Sequence, residues 1–332
     1  MISASDFIRL PFTPDLTEGG IVYATRSLTQ NYDRMGGSLY SRLRRIVGGV
    51  SVELALRRFL SEKGIPFDVK GALSFSEPDR YDVTLGGRRC NINTYVTSKR
   101  SQITAMRHNP DVLLRAPALI PEDQFLALNH TGKDLQLFTF LLGLTTNSPE
   151  DIRKAMGASQ RIYLVHPFRT EWSHPQIWAP FGRLALKSEC AMPVNIEIGG
   201  QDAGRKFITE TLTLSPLTRT FAENNYYSLA YIHAESIPEA RVGLRGANRG
   251  EPYLIQPHEW GNIWIYGLEI WLAGYLTQDE FRRRASTIFA GSRVFQYSKT
   301  QTRNLSVPMT DLRPLDHLLA LVKNWEGEKK SW

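Results

Sequence analysis

The stretch RYDVTLGGRRCNINTYV, from Arg80 to Val96, narrows the possible folds more than any other part of the chain. Gly86-Gly87 stands between two alternating runs, and the favoured two-residue hairpin turn needs central residues that accept positive φ. Such a turn fixes the register: Leu85 faces Arg88, Thr84 faces Arg89, Val83 faces Cys90 and Asp82 faces Asn91. Successive strand side chains point to opposite faces. Val83, Leu85, Cys90 and Ile92 therefore form an apolar face, and Asp82, Thr84, Arg89, Asn91 and Asn93 a polar one. Directly opposed Cβ atoms lie roughly 4.5–5.5 Å apart, so Asp82 and Asn91 come within reach of one ion, with Asn93 one step further along.

The flanking sequence predicts a mixed sheet with helices. Val52, Ala55, Leu56, Phe59 and Leu60 mark the buried side of a helix over Ser38–Gly64, stopped by Lys63-Gly64-Ile65-Pro66. Strands are expected near Phe67–Phe75, Tyr81–Leu85 and Arg88–Val96, then a helical Ser98–Leu114 interrupted before Pro110. Leu135–Leu144 is apolar without alternation, as in a strand buried on both faces. Ser148 ahead of Pro149-Glu150-Asp151 combines an N-cap, proline at the first helical position and acids in the first turn. Beyond His166-Pro167 short β-like runs alternate with turn residues, from Leu184–Lys187 to Ile263–Tyr266, which predicts a β-sandwich or barrel. Thr277 and Glu280 form a capping box ahead of a helix over Thr277–Ala290, and a last helix covers Pro314–Lys323. The expected fold is α/β (α+β): a mixed sheet flanked by helices, then a β-sandwich-like domain with C-terminal helices. The expected division is an arm over residues 1–37, broken at Gly19-Gly20 and Gly36-Gly37, an α/β domain over 38–170, and a β-rich domain over 171–332.

The hairpin and the helix ahead of it resemble the PD-(D/E)XK superfamily, the restriction-endonuclease-like nucleases, whose motif is an Asp on one strand and acid-X-Lys on the next. Here Pro78-Asp79-Arg80-Tyr81-Asp82 precedes Asn91-Ile92-Asn93, Glu53 stands on the upstream helix, and the order helix, hairpin, helix, buried strand runs over residues 38–145. The resemblance implies a restriction-endonuclease-like sheet and a site of Asp82, Asn91, Asn93 and Glu53, with Asp82 and Glu53 as the ligands of Mg²⁺. Mg²⁺ favours carboxylate oxygens. Asn91 in place of an acid removes one charge, and Asn93 in place of Lys removes a cation and a proton-transfer group. Both losses fall on the attack of metal-bound water at phosphorus. The implied nuclease is inactive or very weak, and Mg²⁺ is needed only if it cleaves. Lys99 follows Asn93 by six residues, about 20 Å along a straight strand at roughly 3.3 Å per residue, so only a sharp bend brings it back. Plainer readings stand beside these: Glu53 pairs with Arg57 one helical turn on, and Pro78-Asp79 opens a turn.

The formal charge of +7 and pI near 9.4 favour an anionic partner. Arg42, Arg44 and Arg45 on the first helix, Arg89, Lys99 and Arg100 around the hairpin, and Arg282, Arg283 and Arg284 near the C-terminus are the candidates for phosphate contact. A solvated basic face is the other reading. Trp260, Trp264, Tyr266, Trp271 and Tyr275 read as core rather than as platforms for bases. His166 and His258, beside prolines, read as loop residues, and no histidines pair at metal-ligand spacing. Ile198-Gly199-Gly200-Gln201-Asp202 reads as a tight turn outside any nucleotide-loop context. Cys90 and Cys190 make neither a disulfide framework nor a zinc cluster and suit a reduced, cytoplasmic protein. No apolar run suits a membrane span.

The sequence thus predicts a nucleic-acid-binding protein on a degenerate nuclease scaffold, with DNA as expected partner, RNA as a second, and a protein partner in a DNA-processing or defence complex. Two alternatives stand: a working Mg²⁺-dependent DNA endonuclease with an unorthodox site, and a structural subunit whose β-module binds protein.

Overall fold

An apolar run without alternation needs cover on both faces, and the run from Leu135 lies inside the protein's largest sheet. The computed structural model describes residues 2–29, 38–69, 83–127 and 131–329. In chain order the elements are β1 (Ile8–Pro11), α1 (Pro14–Ser27), α2 (Leu39–Glu62), β2 (Phe67–Asp68), β3 (Val83–Leu85), β4 (Arg88–Thr97), α3 (Arg100–His108), β5 (Pro117–Pro121), α4 (Glu122–Ala127) and β6 (Leu135–Thr145). Next come α5 (Pro149–Gly157), β7 (Leu164–Pro167), α6 (Thr170–Ser173), β8 (Leu184–Ser188), β9 (Val194–Gln201), β10 (Phe207–Leu214), β11 (Arg219–Phe221), β12 (Ser228–Ala234), β13 (Val242–Gly246), β14 (Tyr253–Ile255) and β15 (Gly261–Asn262). The last are β16 (Ile265–Thr277), α7 (Gln278–Arg284), β17 (Ser286–Ile288), β18 (Asn304–Pro308) and α8 (Leu315–Lys329). They group into two compact units, one of Met1–Gly20, Gly48–Leu144 and Ile265–Trp332, the other of Ile21–Val47 and Thr145–Trp264.

The first unit is built on a six-stranded sheet in the order β1-β16-β6-β4-β3-β2. β2, β3 and β4 form an antiparallel meander. β4 then pairs in parallel with β6, from Cys90 opposite Leu135 to Thr97 opposite Leu142, with no break in register. The first nine residues of β6 are buried. On one face α2 lies close: a Cβ on Gly48 would stand 3.1 Å from the side chains of both Leu141 and Val96. On the other, Phe138, Phe140 and Leu142 enter a core with Tyr95, Met106 of α3, Trp271 and Phe281. Phe138 stacks on Phe281 at 5.8 Å between ring centroids, and Tyr95 tilts against Phe140 at 5.3 Å. Burying one such ring contributes about 1.5–3 kcal/mol. This is the mixed sheet flanked by helices that the sequence predicts, and the hairpin register is as the glycine pair requires: Val83–Cys90, Thr84–Arg89 and Leu85–Arg88 are partners. Gly86 and Gly87 have φ of +55° and +70°.

The second unit has two antiparallel sheets, β10-β9-β12-β7-β15 and β11-β8-β13-β14. Leu186, Ile198, Ile232 and Leu244 from the two sheets share one core with Phe181, Tyr226 and Trp260. Trp260, Trp264, Trp271 and Tyr275 are all buried.

Several local expectations need correcting. A cut near residue 170 would separate β16 from β1 and β6, which flank it in one sheet. Residues 1–37, expected as an arm, contain β1, an edge strand paired with β16, and the helix α1. Gly19 does not break that helix; an added Cβ would stand 2.6 Å from Leu54 Cδ1, so the glycine lets two helices approach closely. The helix after Thr277 ends at Arg284, because Ser286–Ile288 leaves it to pair with β18. Ile198–Gln201 belongs to β9 rather than to a turn, and the Tyr231 ring fills the space where a Cβ on Gly199 would sit. His166 lies within β7, buried, with Nε2 3.0 Å from the Tyr253 hydroxyl and Nδ1 3.2 Å from the Glu259 carbonyl.

Burial holds the pKa of His166 below the usual imidazole range, and the same cause lowers His233 on β12. The unfolded chain therefore binds more protons than the folded one just below about pH 6.5, and stability falls as pH drops through that window. The thermal midpoint measured by calorimetry should be lower at pH 5.5 than at pH 7.5. The His166→Gln/His233→Gln double variant should show a flatter dependence over this range. Carboxylate protonation enters only below about pH 4.5.

Candidate functional site

Asn91 and Asn93 lie on β4, and alternation puts them on the face that continues into Tyr95. Asp79 and Asp82 lie outside the described residues. Asn93 Nδ2 donates to Gln136 Oε1 at 2.9 Å and to the Leu137 carbonyl at 3.3 Å. Gln136 Nε2 in turn donates to Gln278 Oε1 at 2.8 Å. Gln136 is the second residue of β6 and lies opposite Asn91 in the parallel register. Gln278 opens α7, and its backbone N–H donates to the Asp134 carbonyl at 2.7 Å. The Asp134 carboxylate accepts from the Thr131 N–H and hydroxyl at 2.9 and 2.8 Å. The Thr277–Glu280 capping box, read from the sequence, fixes the start of α7 and so the position of Gln278.

This chain of three amides was not singled out in the sequence. Gln136 and Gln278 are almost wholly buried. One signal was available: Gln136 is an amide between Leu135 and Leu137 in a run that is apolar but for it and Thr139. The chain ends on Gln278 Nε2, which is buried and has no hydrogen-bond partner among the described residues. Such an unmade bond costs about 1–3 kcal/mol.

The other candidates are dispersed. Val96 differs from Asn91 and Asn93 by odd offsets on an unbroken strand, so the α2 that covers Val96 lies on the opposite face of the sheet. Glu53, on α2, forms an ion pair with Arg57 one turn on. β4 runs straight to Thr97, which leaves Lys99 and Arg100 exposed at the start of α3, away from Asn93. Arg44 donates through Nε and a terminal nitrogen to the Asn262 carbonyl at 2.9 and 2.7 Å, a structural bond. Arg42, Arg45 and Arg89 are half-buried. Arg282, Arg283 and Arg284 are exposed at the end of α7. Arg282 stands 3.6 Å from Asp279, Arg283 reaches the Asp279 carbonyl at 3.3 Å, and Arg284 the Asp311 carbonyl at 3.1 Å.

Amides carry no charge and do not titrate near neutral pH. Asn93, Gln136 and Gln278 can orient and bind, and they can neither activate water nor hold a hard cation as carboxylates do. Among the described residues no three His, Cys, Asp or Glu side chains gather as a metal site. The described donor set does not suit Mg²⁺. Among the described residues no helix is long and apolar enough to cross a membrane. No family model, no curated protein and no solved structure matches the chain.

Gln136 is the middle of the amide chain and Gln278 its unsatisfied end. Gln136→Leu should lower stability by about 1–3 kcal/mol, since it strips partners from both neighbours. Gln278→Met removes the orphan donor along with one bond and should cost less than half as much. Urea denaturation of the two variants beside the parent measures the difference.

Proposed function

We propose that the protein binds nucleic acid, duplex DNA first, on a nuclease-like scaffold that lacks the groups for cleavage. In this reading it serves as a partner subunit of a DNA-processing or defence complex inside the cell. The element order supports it: α2, the β2–β3–β4 meander, α3 and the parallel β6 follow one another as the PD-(D/E)XK resemblance implies. The observation that carries it is α7. Its first residue, Gln278, closes the amide chain from Asn93, and its end bears the three exposed arginines. The arginines follow Gln278 by four to six residues, about 6–9 Å along the helix at 1.5 Å per residue.

Electrostatics favours binding without metal at such a place. In a working nuclease the acidic side chains would repel a phosphodiester unless a divalent ion stood between them. Asn91 in place of the acid removes part of that repulsion, and Asn93 in place of lysine removes a cation and a proton-transfer group, so the attraction falls to arginines nearby. Phosphate contacts from arginine then supply affinity that does not depend on sequence.

Fluorescence anisotropy with a random-sequence duplex should show binding that weakens steeply with salt. Arg282→Ala/Arg283→Ala/Arg284→Ala should lower the log–log salt slope by up to about 2.7, or roughly 0.9 per phosphate contact. Plasmid incubated with Mg²⁺ or Mn²⁺ should stay intact, while Asn91→Asp/Asn93→Lys should gain cleavage. Nicking by the natural chain overturns the loss of chemistry, and salt-insensitive or absent DNA binding overturns the binding.

A further inference from the structure

The four-stranded sheet of the second unit has an outer face that folding alone does not explain. Its inner residues Leu184, Leu186, Val242, Leu244 and Ile255 are buried. Alternation turns Arg219, Lys187, Gly243 and Leu254 outward in one row, and Phe221, Ala185 and Arg245 in the next. Arg219 and Lys187 are direct cross-strand partners. Like charges in that position destabilise a sheet. Arg219, Lys187 and Arg245 are exposed, and none of them pairs with an acid among the described residues. The acid beside them, Glu189, is held by Arg241 through two bonds of 2.9 and 3.0 Å.

The floor between these cations is low because it is made of Ala185 and Gly243, and it forms a hollow of about 240 Å³. That is smaller than the roughly 300–1,000 Å³ of a site for a whole drug-sized ligand. It suits one unit of a longer polymer. Leu254, which lines it, is 46% exposed, and Phe221, the cross-strand partner of Ala185, is 40% exposed on the same face. The Arg183 guanidinium lies 3.9 Å from the Phe221 ring centroid, which fixes the ring and backs it with a cation.

We propose that this face binds single-stranded nucleic acid, with phosphates on Arg219, Lys187 and Arg245 and an unpaired base against Phe221. Unneutralised cations answer a polyanion. An exposed ring on a sheet face answers unstacked bases, which a duplex does not offer. The inference rests on the nucleic-acid reading above and adds to it a second surface, in the second unit, that does not involve the hairpin or α7.

The test is anisotropy with a labelled mixed-sequence single strand, a duplex of equal length and a poly-glutamate peptide, with thermal melts alongside. Lys187→Ala/Arg219→Ala should weaken single-strand binding at least tenfold and lower its salt slope by about 1.4, or roughly 0.7 per contact. The same variant should melt no lower than the parent, because it relieves a like-charge pair; a merely structural role would lower the melt. Phe221→Ala should weaken single-strand binding about tenfold and leave duplex binding unchanged. Arg245→Gln should act in the same direction as the double variant if the latter folds poorly. Unchanged single-strand binding in all three variants overturns the surface. Duplex binding by the parent without single-strand binding overturns it too, while the nucleic-acid reading stands. Loss of both forms in the parent overturns both readings. Capture of poly-glutamate in preference to either nucleic acid overturns the assignment of this face.

Discussion

The parallel pairing of β4 with β6 is the constraint on which the first unit depends. A parallel pair requires a long crossover, and here α3, β5 and α4 lie between the two strands. It also requires cover on both faces, which α2 supplies on one side and the Phe138–Phe281 core on the other. β16 then has one place left, between β6 and the edge strand β1, and it brings α7 with it. The position of Gln278 beside Gln136, and the placing of three arginines one turn beyond, are consequences of that sheet order.

The site so formed is a chain of amides, Asn93 to Gln136 to Gln278, and amides differ from the groups that hydrolysis uses. A phosphodiester, a metal and a water must be held together for hydrolysis, and the charge of the ligands sets both metal affinity and water activation. The amides of Asn91 and Asn93 offer hydrogen bonds and carry neither charge nor a group that titrates near neutral pH.

Legibility in the sequence followed the range of the cause. The hairpin register, the Ser148 and Thr277 caps and the break before Pro110 have local causes, and all are found in the structure. Gly19 reads as a break and Gly199 as a turn in the sequence because the reason for each, Leu54 and the Tyr231 ring, lies on another segment. β16 was read as short strands of a second domain because nothing near it names β1 and β6 as its neighbours. Gln136 and Gln278 are far apart in the chain, and only the fold joins them. The same holds for Lys187, Arg219 and Arg245, ordinary surface cations until cross-strand register sets them side by side.

Both candidate surfaces break a local rule at a cost. A buried amide donor without a partner among the described residues sits at the end of the Asn93–Gln136–Gln278 chain, and like charges face each other between β11 and β8. Other charges are answered locally: Glu189 by Arg241, Asp15 by Arg58, Glu269 by Arg107 and Glu122 by Arg303. Lys187, Arg219 and Arg245 stand on one sheet face without an acid partner among the described residues, while Arg241 beside them is held by Glu189. A like-charge pair across neighbouring strands is a cost that a bound anion can offset where the fold does not.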